Sequence, residues 1–106
     1  MTNTLVIYAF GEISKDELYG AIGIYFGDGD SRNIAKRVSS SNPKEYSVNE
    51  AINILSIEEH KGSVEIMTNA IDLPNISSRK NIKIIHIKPG EDMGSIISQI
   101  ITNNYL

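Results

Sequence analysis

The amino-acid sequence predicts one α/β domain with a five-stranded mixed sheet and two helices. Five short apolar runs are bounded by turn residues, as is typical of strands. Two other segments repeat apolar residues at helical spacing. The 106 residues fit a single domain, which we expect to span residues 1–106.

The first three predicted strands follow one another with only short connections. Residues 5–10 and 21–26 are nearly continuous apolar runs, which indicates strands buried on both faces. The polar residues 11–20 predict a turn, and residues 27–30 predict another by composition. A third strand is predicted over residues 31–38. Three strands joined by short turns form an antiparallel meander.

A capping signal marks the predicted start of the first helix. Residues 39–44 are predicted to be a loop closed by Pro43. Ser47 and Glu50 then have the spacing of a capping box, in which both side chains bond to backbone N–H groups. Apolar residues follow at helical spacing, and Lys61 with Gly62 ends the element.

The rest of the chain predicts two more strands and a last helix. Residues 64–68 alternate in character as a fourth strand, residues 72–81 predict a loop, and residues 82–87 predict a fifth strand. Residues 93–101 carry the apolar stripe of the second helix. A strand that follows a crossover helix lies parallel to its neighbour, so the fourth and fifth strands complete a mixed sheet that the helices cover.

Composition excludes several classes of function. Ten basic and thirteen acidic residues give a formal charge of −3, so the whole molecule does not attract phosphate. The absence of cysteine excludes disulfides and thiolate metal sites, and it favours an intracellular location without distinguishing cytoplasm from nucleus. No apolar run approaches the roughly 20 residues of a membrane span, so we expect no membrane contact.

Several segments resemble type 1 enzymes of the ribonuclease H superfamily. Residues 23–27 and 31–38 are similar to the family's second and third strands. Residues 6–11 resemble its first strand, which ends in a Thr-Asp-Gly-Ser type of motif. Residues 48–51 stand where the family has an Arg-Ala-Glu-Leu helix start, and residues 66–70 resemble the Tyr-Thr-Asp-Ser end of its fourth strand. The resemblance implies a truncated RNase H-like fold without the family's helical insert between the fourth and fifth strands.

The resemblance also implies a chemistry that the matching residues do not support. The family hydrolyses the RNA strand of a hybrid with two divalent ions held by four acidic residues. The corresponding positions here are Phe10, Glu50, Asn69 and Ser95, of which only Glu50 is acidic. The resemblance therefore implies a degenerate active site, with no confident catalytic residue, no metal site and no cofactor.

Each of these positions also has a structural explanation. Phe10 is expected to pack in the core, Glu50 to complete the capping box, and Asn69 to end a strand. Glu12 would share a face with Phe10 if the first strand continued, and Asp72 and Asp92 fall near the ends of other elements. These three carboxylates leave open a residual Mg²⁺-dependent ribonuclease H.

The dense basic cluster consists of Arg32, Lys36 and Arg37, on or beside the third strand. Basic residues on an edge strand prevent edge-to-edge aggregation, and they also bind phosphate. Protection of the edge is the favoured explanation, and the cluster is the candidate nucleic-acid-binding site if the domain binds a duplex.

Three functions follow from the sequence. The first is a catalytically inactive RNase H-like module that acts through contacts with a protein partner or with a second copy of itself. The second is non-catalytic binding of an RNA or DNA duplex. The third is the residual nuclease that uses Glu50 and Glu12 with Asp72 or Asp92.

Overall fold

The computed structural model describes residues 4–71, 80–88 and 94–106. Within these ranges the chain forms five strands and two helices: β1 (Leu5–Ile13), β2 (Gly20–Tyr25), β3 (Ile34–Val38), α1 (Pro43–Ile57), β4 (Val64–Thr68), β5 (Ile82–His86) and α2 (Gly94–Tyr105). No helix within the described ranges is long and apolar enough to cross a membrane.

All five strands belong to one mixed sheet in the order β3-β2-β1-β4-β5. β2 runs antiparallel to both β1 and β3, whereas β1, β4 and β5 run parallel to one another. The predicted α/β class, the antiparallel meander and the parallel fourth and fifth strands are therefore confirmed.

Helix α1 covers one face of the sheet and encloses the main core. A continuous apolar cluster joins its buried residues, among them Val48 and Leu55, to strand residues such as Ile7 and Ile66. The helix begins directly over β1, because a Cβ on Gly11 would collide with the backbone of Pro43. Only glycine permits this close approach of helix and strand.

Helix α2 covers the opposite face, over β1, β2 and β3. Ile97 and Ile101 are its buried apolar anchors. Both lie against Gly23, where an added Cβ would stand 2.8 Å from a methyl group of Ile97. Each face of the central strands therefore packs against one helix.

Four of the five strands differ in their bounds from the prediction: β2 begins and ends one residue earlier, β5 ends one residue earlier, and β1 and β3 each differ by three residues at one end. β1 continues three residues beyond Phe10 and pairs with β2 as far as Ile13 opposite Gly20, so residues 11–13 are not part of a turn. β3 begins at Ile34 and not at residue 31, because the Asn33 side chain belongs to the preceding turn. Its Oδ1 accepts from the Phe26 N–H at 2.6 Å, and its Nδ2 donates to the Gly27 carbonyl at 2.7 Å.

The predicted start of α1 was wrong by one turn. Asn42 is the N-cap, and its Oδ1 accepts from the Glu45 N–H at 3.3 Å. The Asn42 Nδ2 donates to the Glu45 carboxylate at 3.3 Å, and Pro43 occupies the first turn of the helix and does not close a loop. Ser47 lies inside the helix and donates to the Lys44 carbonyl at 2.7 Å, so the capping role predicted for Ser47 and Glu50 is contradicted.

Both helix ends also differ from the prediction. α1 stops at Ile57, ahead of Lys61, and Glu59 adopts a left-handed conformation with φ of 55°. α2 extends to Tyr105, four residues beyond the predicted apolar stripe. β4 has its predicted bounds, whereas β5 ends one residue early at His86. Most of the predicted loop over residues 72–81 lies outside the described residues.

Candidate functional site

The candidate site lies where β1 and β4 end beneath the first turns of α2. Because β1 continues to Ile13, Phe10 and Glu12 share the face that α2 covers. Asn69 follows the last residue of β4, next to β1. Ser98 reaches the same place from α2. Three elements that are distant in sequence therefore bring one apolar and three polar side chains together.

Phe10 supplies the apolar part of this site. Its side chain is fully buried. The ring packs against the first residue of α2, since a Cβ on Gly94 would stand 2.8 Å from the Phe10 Cζ. Phe10 therefore fills the position between β1 and α2 and offers no oxygen to a cation.

Asn69 joins the ends of β1 and β4 through its side-chain amide. The Oδ1 accepts from the Gly11 N–H at 3.1 Å, and the Nδ2 donates to the Gly11 carbonyl at 2.8 Å. The Nδ2 also donates to the Glu12 Oε1 at 3.2 Å. An ionised carboxylate only accepts hydrogen bonds and could not donate to the Gly11 carbonyl. The amide is thus required for this contact, which an ionised aspartate at this position could not make.

Glu12 connects this strand junction to α2. Its Oε1 accepts from the Ser98 hydroxyl at 2.7 Å as well as from Asn69. The side chain is half-buried. Glu12, Asn69 and Ser98 form one hydrogen-bonded network, which we call the junction network.

The sequence did not identify Ser98. Ser95 was matched to the last acidic position, but it lies one turn earlier on α2, and its side chain makes no hydrogen bond with the described residues. Ser98 follows the buried Ile97, so it flanks the apolar stripe that docks on the sheet. That position could have marked Ser98 as a candidate, but only the docked helix shows that it reaches Glu12.

Glu50 is not part of the junction network. It lies on α1, which covers the opposite face of the sheet, and it is half-buried. Within the described residues its carboxylate has no hydrogen-bond or ion-pair partner. Glu50 therefore shares no hydrogen bond with the junction network and lies on a different helix from Ser95.

The residues at the junction do not fit a pair of divalent ions. Mg²⁺ is held by several anionic oxygens, but Phe10 is apolar and the Asn69 amide is occupied by Gly11 and Glu12. In the described part of the chain, no three acidic, histidine or cysteine side chains are grouped to hold a metal ion. Asp72 and Asp92, the predicted substitutes, lie outside the described residues.

Arg32 is held by intramolecular contacts. It donates to Asp30 at 2.7 and 2.9 Å and to Glu58 at 2.9 Å, and its guanidinium stacks 4.3 Å from the centre of the Phe26 ring. Hydrogen bonds from the Arg32 side chain lower the pKa of Asp30 to about 2. Arg32 therefore joins the turn before β3 to the end of α1, and two carboxylates neutralise its charge.

The other two members of the basic cluster lie on opposite faces of the sheet. Lys36 stands opposite Ile22, and Arg37 stands opposite Ala21. The Arg37 Nε donates to the Tyr105 carbonyl at 3.0 Å, and its guanidinium stacks 4.5 Å from the centre of the Tyr19 ring. The structure does not bring Arg32, Lys36 and Arg37 into one patch.

No known protein-family model matches this chain, and no curated protein matches it in sequence. What the structure itself establishes is an α/β fold with a five-stranded mixed sheet and two helices.

Proposed function

We propose that this chain is an RNase H-like domain without metal-dependent cleavage, which acts by binding a protein partner. The order of elements along the chain, with α1 between β3 and β4, supports the proposal because the resemblance implies that order. The observation that carries it is the bond pair between Asn69 and the Gly11 backbone. At the strand end where the family has an aspartate, this chain has an amide that joins β4 to the backbone of β1.

Loss of cleavage follows from the chemistry of the junction. Two-metal hydrolysis places divalent ions about 4 Å apart between carboxylates. Glu12 is the one carboxylate of the junction network, and its Oε1 already accepts two hydrogen bonds. A cation could approach the other carboxylate oxygen, Oε2, but it would gain only one anionic ligand there, too few to hold Mg²⁺.

The same residues now stabilise the fold. A hydrogen bond of this kind contributes about 1 kcal/mol, and more where one partner is charged. The junction network contains four such bonds and links β1, β4 and α2. A domain retained for its shape is expected to keep such a network even after catalysis is lost.

The exposed apolar residues of α2 favour protein contacts. Ile96 and Ile100 are 49% and 46% exposed and lie one turn apart. Two exposed isoleucines on one helix face form a small apolar patch, and contiguous exposed apolar patches mark protein-interaction sites when they are large. Duplex binding is less well supported, because Arg32 and Arg37 already contact groups of the same chain.

Incubation with an RNA–DNA hybrid in Mg²⁺ or Mn²⁺ tests the loss of cleavage. We expect the protein to cleave no faster than its Glu50→Gln and Glu12→Gln variants, because neither carboxylate holds a catalytic metal. Cleavage that falls in both variants would refute the proposal. Sedimentation of the same protein shows whether self-association accounts for the binding function.

A further inference from the structure

β3 forms one edge of the sheet. Its inner side pairs with β2 from Ile34 opposite Ile24 to Val38 opposite Gly20. Among the residues that the structure describes, no strand pairs with its outer side. The outward backbone N–H and C=O groups of such a strand are a template on which another extended chain can pair.

An apolar groove adjoins this edge on the face that α2 covers. Its volume is about 210 Å³, below the roughly 300 Å³ at which pockets for small molecules begin, so it suits one or two apolar side chains. Ile100 lies in its wall and is 46% exposed. The other principal lining residues are Gly23, Tyr25, Ala35, Ile97 and Ile101.

The charge beside the edge is positive. Lys36 lies on the α1 face of β3 and has no ion pair among the described residues. Arg37 lies on the other face, where the Tyr105 carbonyl and the Tyr19 ring hold its guanidinium. The free positive charge and the apolar groove therefore lie on opposite faces of the same strand.

A second copy of this chain is a poor occupant of the edge. Antiparallel self-pairing about the middle of β3 would place Lys36 against Lys36 of the other copy. Like charges directly opposite each other destabilise a strand pair. An occupant with acidic residues would instead gain from the same lysine.

We propose that β3 is the docking edge for an extended segment of a partner protein in which apolar and acidic residues alternate. Successive residues of a strand point to opposite faces. The apolar residues would enter the groove beside Ile100, the acidic residues would lie near Lys36, and the segment would become a sixth strand. This inference rests on the proposed function and identifies the partner's chemistry.

Two synthetic peptides of about nine residues, long enough to pair with all of β3, test the inference. In the first peptide every second residue is glutamate, and the residues between are valine or phenylalanine. The second peptide has lysine in place of every glutamate. Each is titrated into the isotope-labelled protein, and the backbone amide signals are followed by NMR. The glutamate peptide is expected to shift the signals of residues 34–38, whereas the lysine peptide is not.

Three variants locate the contact. Ile100→Asp and Lys36→Glu are each expected to weaken binding of the glutamate peptide about tenfold, because the first places a negative charge in the apolar groove and the second reverses the charge beside the edge. Lys36→Glu is also expected to bind the lysine peptide. Ile57→Asp changes a 74% exposed isoleucine at the end of α1 and is expected to leave the affinity unchanged.

Four results would overturn the inference: no binding of either peptide, equal binding of both, shifts confined to β5, or a stable homodimer that occupies β3. None of these results bears on the proposed loss of nuclease activity, which the assay with the RNA–DNA hybrid tests separately. A homodimer through β3 would keep the proposed role in protein contacts and would change the partner.

Discussion

Asn69 shows how one side-chain amide can join the ends of two strands. Its Oδ1 and Nδ2 bind the N–H and C=O of a single residue, Gly11. The sequence predicted that Asn69 ends a strand and matches an acidic position, and that Phe10 packs in the core. It could not predict the bonds to Gly11 or the contact of Ser98 with Glu12, because both depend on how far β1 extends and where α2 docks.

At this scale we predict that Asn69→Asp destabilises the domain at neutral pH. The aspartate would lose donation to the Gly11 carbonyl and would place a second negative charge beside Glu12. We expect the free energy of unfolding, measured with urea, to fall by about 1–3 kcal/mol. Ser95→Ala is the control, because Ser95 lies outside the junction network. It is expected to lower the free energy of unfolding by less than Asn69→Asp does. Equal stability of Asn69→Asp and the native protein would contradict the importance of the amide.

The start of α1 shows why local patterns do not settle helix boundaries. Asn42 with Glu45 and Ser47 with Glu50 both have the spacing of a capping box. The earlier pair is used because the helix then begins with Pro43 over Gly11, where the first turn packs on β1. That packing is a tertiary contact between distant residues, so the sequence pattern alone could not choose between the two signals.

These two signals make opposite predictions for stability. Asn42→Ala should lower the free energy of unfolding by about 1 kcal/mol, because the Glu45 N–H loses its cap. Glu50→Gln should change it by less than about 0.5 kcal/mol, because Glu50 caps nothing. Urea denaturation of both variants measures the difference. A larger loss for Glu50→Gln would indicate that the helix begins near Ser47 after all.

The turn before β3 is stabilised by a charge contact that depends on pH. Arg32 lowers the pKa of Asp30 to about 2, below the ordinary value of 3.8. Because the folded state has the lower pKa, the ionised carboxylate stabilises the fold above about pH 4. That contribution is lost as the pH falls from about 4 through about 2.

Comparison of the native protein with Asp30→Asn across that range tests this contact. The stability difference between the two proteins is expected to be present at neutral pH and to disappear near pH 2. Glu59→Gln, at an exposed side chain near the end of α1, is the control and should show no such trend. A difference that persists unchanged at pH 2 would mean that the Asp30 charge does not contribute.

For the whole molecule, the order of elements was sufficient to predict a mixed sheet and the directions of its strands. Short connections required β1, β2 and β3 to be antiparallel, and the crossover through α1 required β4 to be parallel to its neighbour. The spatial relation of the four matched positions was not predictable in this way. Glu50 lies on the α1 side of the sheet and the junction network on the α2 side, an arrangement that depends on how both helices dock.

A titration with Mn²⁺, followed through the NMR signals of the Gly11 backbone and the Asn69 side-chain amide, tests the central claim most directly. Paramagnetic Mn²⁺ broadens the signals of nearby nuclei, so a bound ion at the junction would be visible even without turnover. We predict that Gly11 and Asn69 are broadened no more than amides beside exposed carboxylates such as Glu17. Selective broadening of Gly11 and Asn69 that disappears in Glu12→Gln would show that the junction holds a metal ion and would contradict the account.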